Sequence, residues 1–573
     1  MFAQGIAASN LPVVPKTKPS GLPFPVQFND VAAEAGLTMR FVQGDPARKK
    51  YIVEANGTGV AFFDYDSDGL LDVYVVNGTR FTPAPGAPVP ASHLYRNIGK
   101  GKFADVTARS GLGRSGWGNG VCRGDYNNDG HLDLYVTYWG LNSLYRNQGD
   151  GTFTNEAKRA GVASPASTSP SAPQWSTGCT FLDYDRDGHL DLFVASYAGF
   201  SPGTTPLPGS SPSCIFKEVP VFCGPRGLPH GRMTLYHNRG DGTFEDVSAK
   251  SGVASATGCY GFTAIAADLT ADGYPDIYIA CDSTPSLFFR NERNGTFREL
   301  GSETGLAFSE HGAEQAGMGL ALADTDGDGL PDLTKTNFIR DYPNLYRNLG
   351  RGIFEDIAVR AGLAVNPHYV LWGTGLEDFD NDGRPDLFQV GGHVYPELEK
   401  KDPAEAYTNP RLVYRNLGPS PAGGARFEDV SALAGPAIAQ RHASMGAAFG
   451  DFDNDGDIDV LIMNQNEPPS LLRNDYTGTN KWLAVQLTGT KSPRDATGAL
   501  VTVQAAGLSQ TSAVLSQSSY LSVNDHRLHF GLAAAPRADR ITVRWPSGLT
   551  EEFGPQPSNQ LVKLSEGQGT AKP

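Results

Sequence analysis

Seven times along this chain, carboxylates recur at alternate positions around a glycine, in the nine-residue pattern Asp-x-Asx-x-Asp-Gly-x-x-Asp. The copies are DYDSDGLLD from Asp64, DYNNDGHLD from Asp125, DYDRDGHLD from Asp183, DLTADGYPD from Asp268, DTDGDGLPD from Asp324, DFDNDGRPD from Asp378 and DFDNDGDID from Asp451. Oxygen ligands at this spacing suit a hard cation such as Ca²⁺. Side chains at positions one, three and five, the carbonyl at seven and the carboxylate at nine can surround one ion, and glycine at six permits the sharp turn. The first loop offers Asp64, Asp66, Asp68, the Leu70 carbonyl and Asp72. The second offers Asp125, Asn127, Asp129, the His131 carbonyl and Asp133, and the third Asp183, Asp185, Asp187, the His189 carbonyl and Asp191. In the fourth the set is Asp268, Thr270, Asp272, the Tyr274 carbonyl and Asp276; in the fifth, Asp324, Asp326, Asp328, the Leu330 carbonyl and Asp332. The sixth supplies Asp378, Asp380, Asp382, the Arg384 carbonyl and Asp386, and the seventh Asp451, Asp453, Asp455, the Asp457 carbonyl and Asp459.

Up to seven structural Ca²⁺ ions are therefore expected, with the Asp268 loop the weakest because Thr270 replaces a carboxylate. Mg²⁺ demands a smaller octahedron and keeps its waters. A catalytic metal is not expected, since such sites keep an open position and commonly use His. Asx turns alone would explain one copy, but seven copies with up to four carboxylates each would repel without a cation. Seven divalent ions would bring the formal charge of −15 to about −1. The acidity excludes nucleic acid as a partner.

The elements that must hold these loops are strands. Gly (68) and Pro (40) are abundant and apolar runs are short, which suits many short strands joined by tight turns. A small-residue run such as 57–63 precedes each loop and an alternating apolar run such as 71–77 follows it. Next comes LYRN (94–97, 144–147, 345–348) or a variant, LYHN at 235–238, FFRN at 288–291, VYRN at 413–416 and LLRN at 471–474. A fourth strand opens on Phe103, Phe153, Phe244, Phe297, Phe354 or Phe427. Four strands per repeat of roughly 55–60 residues is a β-propeller blade. The seventh repeat lacks a fourth strand, and an orphan copy, FNDVA, lies at 28–32, so the N-terminus is expected to close blade seven. Five residues before six of the loops stands Gly59, Gly120, Gly178, Gly319, Gly373 or Gly446, with Thr263 in the fourth copy. Glycine recurring inside a strand marks close backbone approach, as where inner strands converge on an axis.

The expected fold is all-β: an irregular segment 1–27, a seven-bladed propeller over 28–476 with insertions at 199–233 and 393–410, and a small sandwich-like β-domain over 481–565. No stretch approaches the roughly 20 apolar residues of a membrane span. The first 27 residues lack the regions of a signal peptide, so the numbering is read as starting after a removed one. Cys214 and Cys223 are the best disulfide pair, Cys259 and Cys281 a second candidate, and Cys122 and Cys179 are expected as free buried thiols.

With those residues in hand, the chain resembles bacterial relatives of the cartilage acidic protein, in which FG-GAP/VCBS repeats precede an ASPIC/UnbV domain. The acidic loops and LYRN hairpins carry the resemblance over 28–474; GALVTV, SYLSVNDHRLHFGL and VRWPSG carry it over 481–565. Val523 and Asn524 depart from the more polar pair such a domain leads one to expect. The same repeats build the integrin α-subunit propeller, so the resemblance implies seven blades with Ca²⁺ in loops on the lower face.

The opposite face then becomes the candidate for function. Near the starts of inner strands and the ends of second strands lie Glu54, Trp139, Tyr369, Trp372, His393, Tyr395, Arg441 and Asn464, which suit a sugar or other polar ligand. Glu314, His311, His368 and His442 are the candidate acids and bases. No Gly-x-Ser-x-Gly elbow, P-loop or Rossmann fingerprint is present. The leading expectation is a secreted, periplasmic or surface-exposed calcium-binding propeller that binds or adheres to a glycan or protein ligand. Alternatives are a lyase or isomerase acting on a carbohydrate or other polyhydroxylated substrate, and a structural component of a surface assembly.

Overall fold

The structure is a computed structural model that describes residues 14, 19–82, 86–164 and 173–572. Most of the expected irregular segment 1–27 lies outside the described residues. Seven four-stranded antiparallel sheets follow in chain order. Blade one is built from Val60–Phe63, Asp72–Val75, His93–Asn97 and Phe103–Asp105, and the following blades repeat that plan. Each second strand begins at the ninth residue of its acidic loop, so the loop is the hairpin between the two innermost strands. Phe28–Asp30 pairs antiparallel with Ser470–Asn474, Phe28 opposite Asn474 and Asp30 opposite Leu472. The N-terminal strand thus closes blade seven and leaves the ring no open edge.

Inner strands approach closely enough to exclude side chains. A Cβ on Gly178 would lie 2.2 Å from the Phe262 carbonyl of the next blade, and one on Gly319 would lie 2.1 Å from that of Trp372. Bulk at these positions would push neighbouring blades apart.

The C-terminal residues form two sheets around a shared core that includes Leu483, Val485, Val501, Phe530, Ile541 and Trp545. One sheet has Lys481–Thr488 between Leu528–Ala533 and Leu561–Ser565. The other runs Leu508–Ala513, Leu500–Ala505, Arg540–Arg544, Thr550–Phe553 and Thr570–Ala571. The connection 514–527 between the two sheets leaves this domain and fills the propeller axis. Ser516 bonds Arg123 and Phe181, and Gln517 bonds the Val121 carbonyl and the Cys179 N–H. The Ser519 carbonyl accepts from Leu320 N–H and its hydroxyl from Thr374 N–H; the Leu521 N–H donates to Thr263 Oγ1. Val523 exchanges backbone bonds with Val60 and Phe62, and Asp525 N–H donates to the Phe449 carbonyl. One peptide therefore satisfies inner-strand groups of all seven blades, which would otherwise be unpaired edges. Val523, apolar where a polar residue was expected, is fully buried against blade one.

Three disulfides are present: Cys214–Cys223, Cys259–Cys281 and Cys122–Cys179. The third corrects the expectation of free thiols. Cys122 and Cys179 lie one register position apart in consecutive inner strands, and convergence towards the axis brings their Cα atoms to 5.8 Å, within bridging range.

Candidate functional site

The acidic loops share one backbone form. The fourth position has positive φ in every copy, from 55° at Asn381 to 77° at Gly327, and the glycine at six lies between 86° and 94°. Position one accepts the N–H groups of positions five and six: Asp64 takes those of Asp68 and Gly69 at 3.0 and 2.9 Å. Position nine is fixed by the asparagine of the LYRN element, whose N–H donates to Asp72, Asp133, Asp191, Asp276, Asp332, Asp386 or Asp459 at 2.7–2.8 Å. Carboxyl oxygens of three or more residues come within 4.8 Å of one another in the first, third, fifth and sixth loops.

These loops fit a hard cation by their orphaned oxygens. Asp66, Asp326, Asp380 and Asp453, all at position three, each bury Oδ1 with no hydrogen-bond partner; Oδ2 of Asp133 and Asp386 at position nine does the same. Desolvation pushes Asp72, Asp183 and Asp332 up to about 8 and Asp125, Asp324 and Asp451 up to about 7. Burying such carboxylates without a counter-charge is costly, and a divalent ion removes that cost. The fourth loop differs. There the Arg544 guanidinium of the C-terminal domain sits 2.5 Å from Oδ2 of Asp268, the carboxylate at position one.

The sequence reading missed the LYRN contribution, although its recurrence after every loop was a signal. Arg96 reaches Asp66 and Asp68 at 2.6 and 2.9 Å, and Arg347 reaches Asp326 at 2.7 Å. In blade three His237 takes this place, 3.1 Å from Asp191, whose carboxylate raises the imidazole to about 9. Each LYRN asparagine also donates its Nδ2 to the loop of the preceding blade. Asn147 bonds the Tyr65 carbonyl, Asn348 that of Leu269 and Asn97 that of Phe452, the last closing blade one on blade seven. Asn348→Ala should strand buried carbonyls of Leu269 and Pro331 and cost about 2–3 kcal/mol. A lowered urea midpoint with an unchanged slope is the expected reading.

On the opposite face the two insertions close the mouth. Phe200, Val221 and Phe222 from the first and Val394, Tyr395 and Leu398 from the second join Trp175, Tyr260, Trp372 and the plug's Tyr520 in one buried cluster. Lys217 pairs with Asp402 and Glu405, and Lys401 with Glu218, so the insertions are clasped together.

The sequence candidates separate accordingly. Trp372 is buried with its Nε1 on the Gly392 carbonyl, and His393 and Tyr395 lie buried beside Phe216. Asn464 bonds Ser444, Ser470 and the Pro468 carbonyl, while Glu54 accepts the Lys50 and Tyr51 N–H groups. Arg441 donates to the Thr408 carbonyl. Glu314 pairs with Arg226 at 2.6 Å, His311 with the Tyr342 hydroxyl at 3.2 Å and His442 with Glu467 at 2.5 Å. His368 packs against Tyr369. Glu314, His311 and His442 thus have three different partners. Trp139 remains half-buried, beside Phe81 and Phe200.

Known sequences match both parts of the chain. The FG-GAP-like repeat matches residues 64–136, 125–194, 221–279 and 268–334, and the ASPIC and UnbV domain matches 489–571. Cartilage acidic protein 1 of Mus musculus is 23% identical over 88% of this chain and 73% of its own length; that of Xenopus tropicalis is 24% identical over 86% and 70%. The chain is similar to the cartilage-acidic-protein family in both its repeats and its C-terminal domain.

Solved structures are more distant. An Agrocybe aegerita protein described as specifically recognising non-reducing terminal N-acetylglucosamine aligns at TM-score 0.33 and 17% identity over 65% of this chain and 80% of its own. A chain from a structure described as BBS1N in complex with ARL6DN aligns at 0.43 and 10% over 80% and 99%. Neither likeness carries a functional argument. In this cartilage-acidic-protein-like chain the ASPIC and UnbV domain packs on the loop face. Arg527 donates to the Asp451 carbonyl, Asn480 to that of Asp380, and Asn381 faces His529 at 2.6 Å. The metal-type loops are thus also the seat of the second domain.

Proposed function

We propose that this protein is an extracellular, calcium-stabilised binding module whose ligand, a glycan or a protein, docks on the face built by the two insertions. The carrying observation is the closed mouth. The insertions seal the axis with apolar side chains, and half-buried Tyr51, Phe81 and Trp139 remain grouped at its margin, with Phe81 4.8 Å from Trp117 and 6.1 Å from Trp139. Aromatic groups of this kind supply contact area to sugars and protein anchors at low entropic cost. Kinship with cartilage acidic protein 1 and three disulfides support the extracellular setting. Six loops are proposed as strong Ca²⁺ sites and the Asp268 loop as a weak seventh.

A lyase or isomerase needs an acid and a base on one substrate, and the different partners of Glu314, His311 and His442 favour the binding reading instead. Glycan-array and surface-protein capture with wild type and Trp139→Ala tests the proposal. Binding should fall at least about tenfold, or roughly 1.4 kcal/mol, in the variant with little change in melting temperature. Ligand turnover abolished by Glu314→Ala or His442→Ala would overturn it.

A further inference from the structure

We infer that the seam between the C-terminal domain and the loops of blades one and two is a binding site for a small oxyanion. A cavity of about 250 Å³ lies there, walled by Asp64 and Asp125 on the propeller side and by Gln486, Arg494, His526 and Lys563 on the other. Its polar groups are out of balance in one direction. His526 has a side chain only 9% exposed, and its Nδ1 is buried with no hydrogen-bond partner. Its Nε2 lies 3.1 Å from Gln486 Nε2, an N–H donor, so Nε2 is the acceptor and the proton resides on Nδ1. The Asp525 carboxylate, 3.7 Å away, is too distant to accept that proton. His526, one of the residues lining the cavity, therefore carries an N–H donor with no acceptor in hydrogen-bond range.

The charges point the same way. Among the described residues, neither the Arg494 guanidinium nor the Lys563 ammonium forms an ion pair, whereas Arg527, also at the cavity, is engaged by Asp525 and the Asp451 carbonyl. On the negative side Asp495 is committed to Arg123 at 3.2 Å and Thr497 at 2.8 Å. Asp64 and Asp125 point their oxygens at N–H groups of their own loops, and their charge is offset by Ca²⁺, a point on which this inference rests on the calcium reading above. What is left is two unpaired cations and one unpaired N–H donor, the complement of a sulfate, phosphate or carboxylate group. The volume accommodates an inorganic tetrahedral ion or the carboxylate end of a sugar acid.

The test is thermal melting of the calcium-loaded full chain at constant ionic strength, with chloride replaced by sulfate in one arm and by glucuronate in another. A saturable rise of about 3 °C or more is expected in at least one arm. A response to sulfate alone assigns a tetrahedral anion, and a response to glucuronate assigns a sugar acid. Arg494 and Lys563 are exposed, so the Arg494→Gln/Lys563→Gln variant should fold and melt normally in chloride while losing the response. No response in wild type, or an undiminished one in the double variant, overturns the site. Chelation in chloride reads the calcium proposal separately. If chelator leaves the melting temperature unchanged while the anion response is present and lost in the variant, calcium fails and the anion site stands.

Discussion

Stripping calcium from this protein should lower its melting temperature by about 15 °C or more, with six tight equivalents per chain measured by equilibrium dialysis. A ligand at one hundred times its Kd contributes about 2.7 kcal/mol per site, so six sites contribute roughly 16 kcal/mol, more than the whole stability of many domains. The seventh loop should add little, because Arg544 already sits on Asp268 and Thr270 replaces a carboxylate. The pH dependence of the chelated protein has a defined sign. Asp72, Asp183 and Asp332 are pushed up to about 8 in the folded chain, against an ordinary value near 4 when unfolded. A group with a raised folded pKa contributes stability that is fully present below its unfolded value and is lost as pH rises through the folded one. Chelated protein should therefore melt higher at pH 5 than at pH 8, and the increment from added Ca²⁺ should grow across the same interval, because the ion needs deprotonated ligands. Equal melting with and without chelator at pH 8 would remove calcium from the account of stability.

The acidic loops, the blade count and the N-terminal closure were legible because periodic constraint leaves periodic residues: a turn that needs Gly69 needs its counterpart in every blade. The plug was not legible for the same reason. Residues 516–525 answer to seven different inner strands at once, so no position repeats another, and no periodic pattern marks Ser516, Gln517 and Ser519 as the buried hydrogen-bonding groups they are. One trace existed. Thr263 replaces the axial glycine in blade four alone, and its hydroxyl accepts the Leu521 N–H. The strand-end residues of the candidate ligand face, aromatic and polar alike, suit a polar ligand in an open mouth. The apolar content of the insertions, Phe222, Val394 and Leu398 among it, decided instead that the mouth would be filled. The pairing of Cys122 with Cys179 depended on convergence towards the axis, a distance that spacing of 57 residues does not express.

Gly59→Ala should be among the most damaging single-methyl additions in the chain. The added Cβ would lie 1.7 Å from the Leu521 carbonyl oxygen and 2.5 Å from its carbon, both backbone atoms of the plug. A flexible side chain could swing aside, but this peptide is held by Val60, Val121, Thr263, Leu320 and Phe449 and has no slack. Overpacking of a core costs about 1–3 kcal/mol where neighbours can shift, and a backbone contact this short belongs at or above the upper end. Displacement of the plug would also unpair inner-strand N–H groups, each worth about 1–3 kcal/mol when left buried without a partner. Tyr520→Phe is the calibrating variant. It deletes one hydrogen bond to the Asn56 carbonyl, keeps the ring in its cluster, and should cost only about 1–2 kcal/mol. Limited proteolysis provides a reading that global stability does not. In Gly59→Ala the segment 514–527 should become cleavable at protease levels that leave wild type and Tyr520→Phe intact, because only the first variant expels the plug. A Gly59→Ala protein that melts like wild type and resists cleavage there would mean that the axial peptide is not what binds the C-terminal domain to the ring.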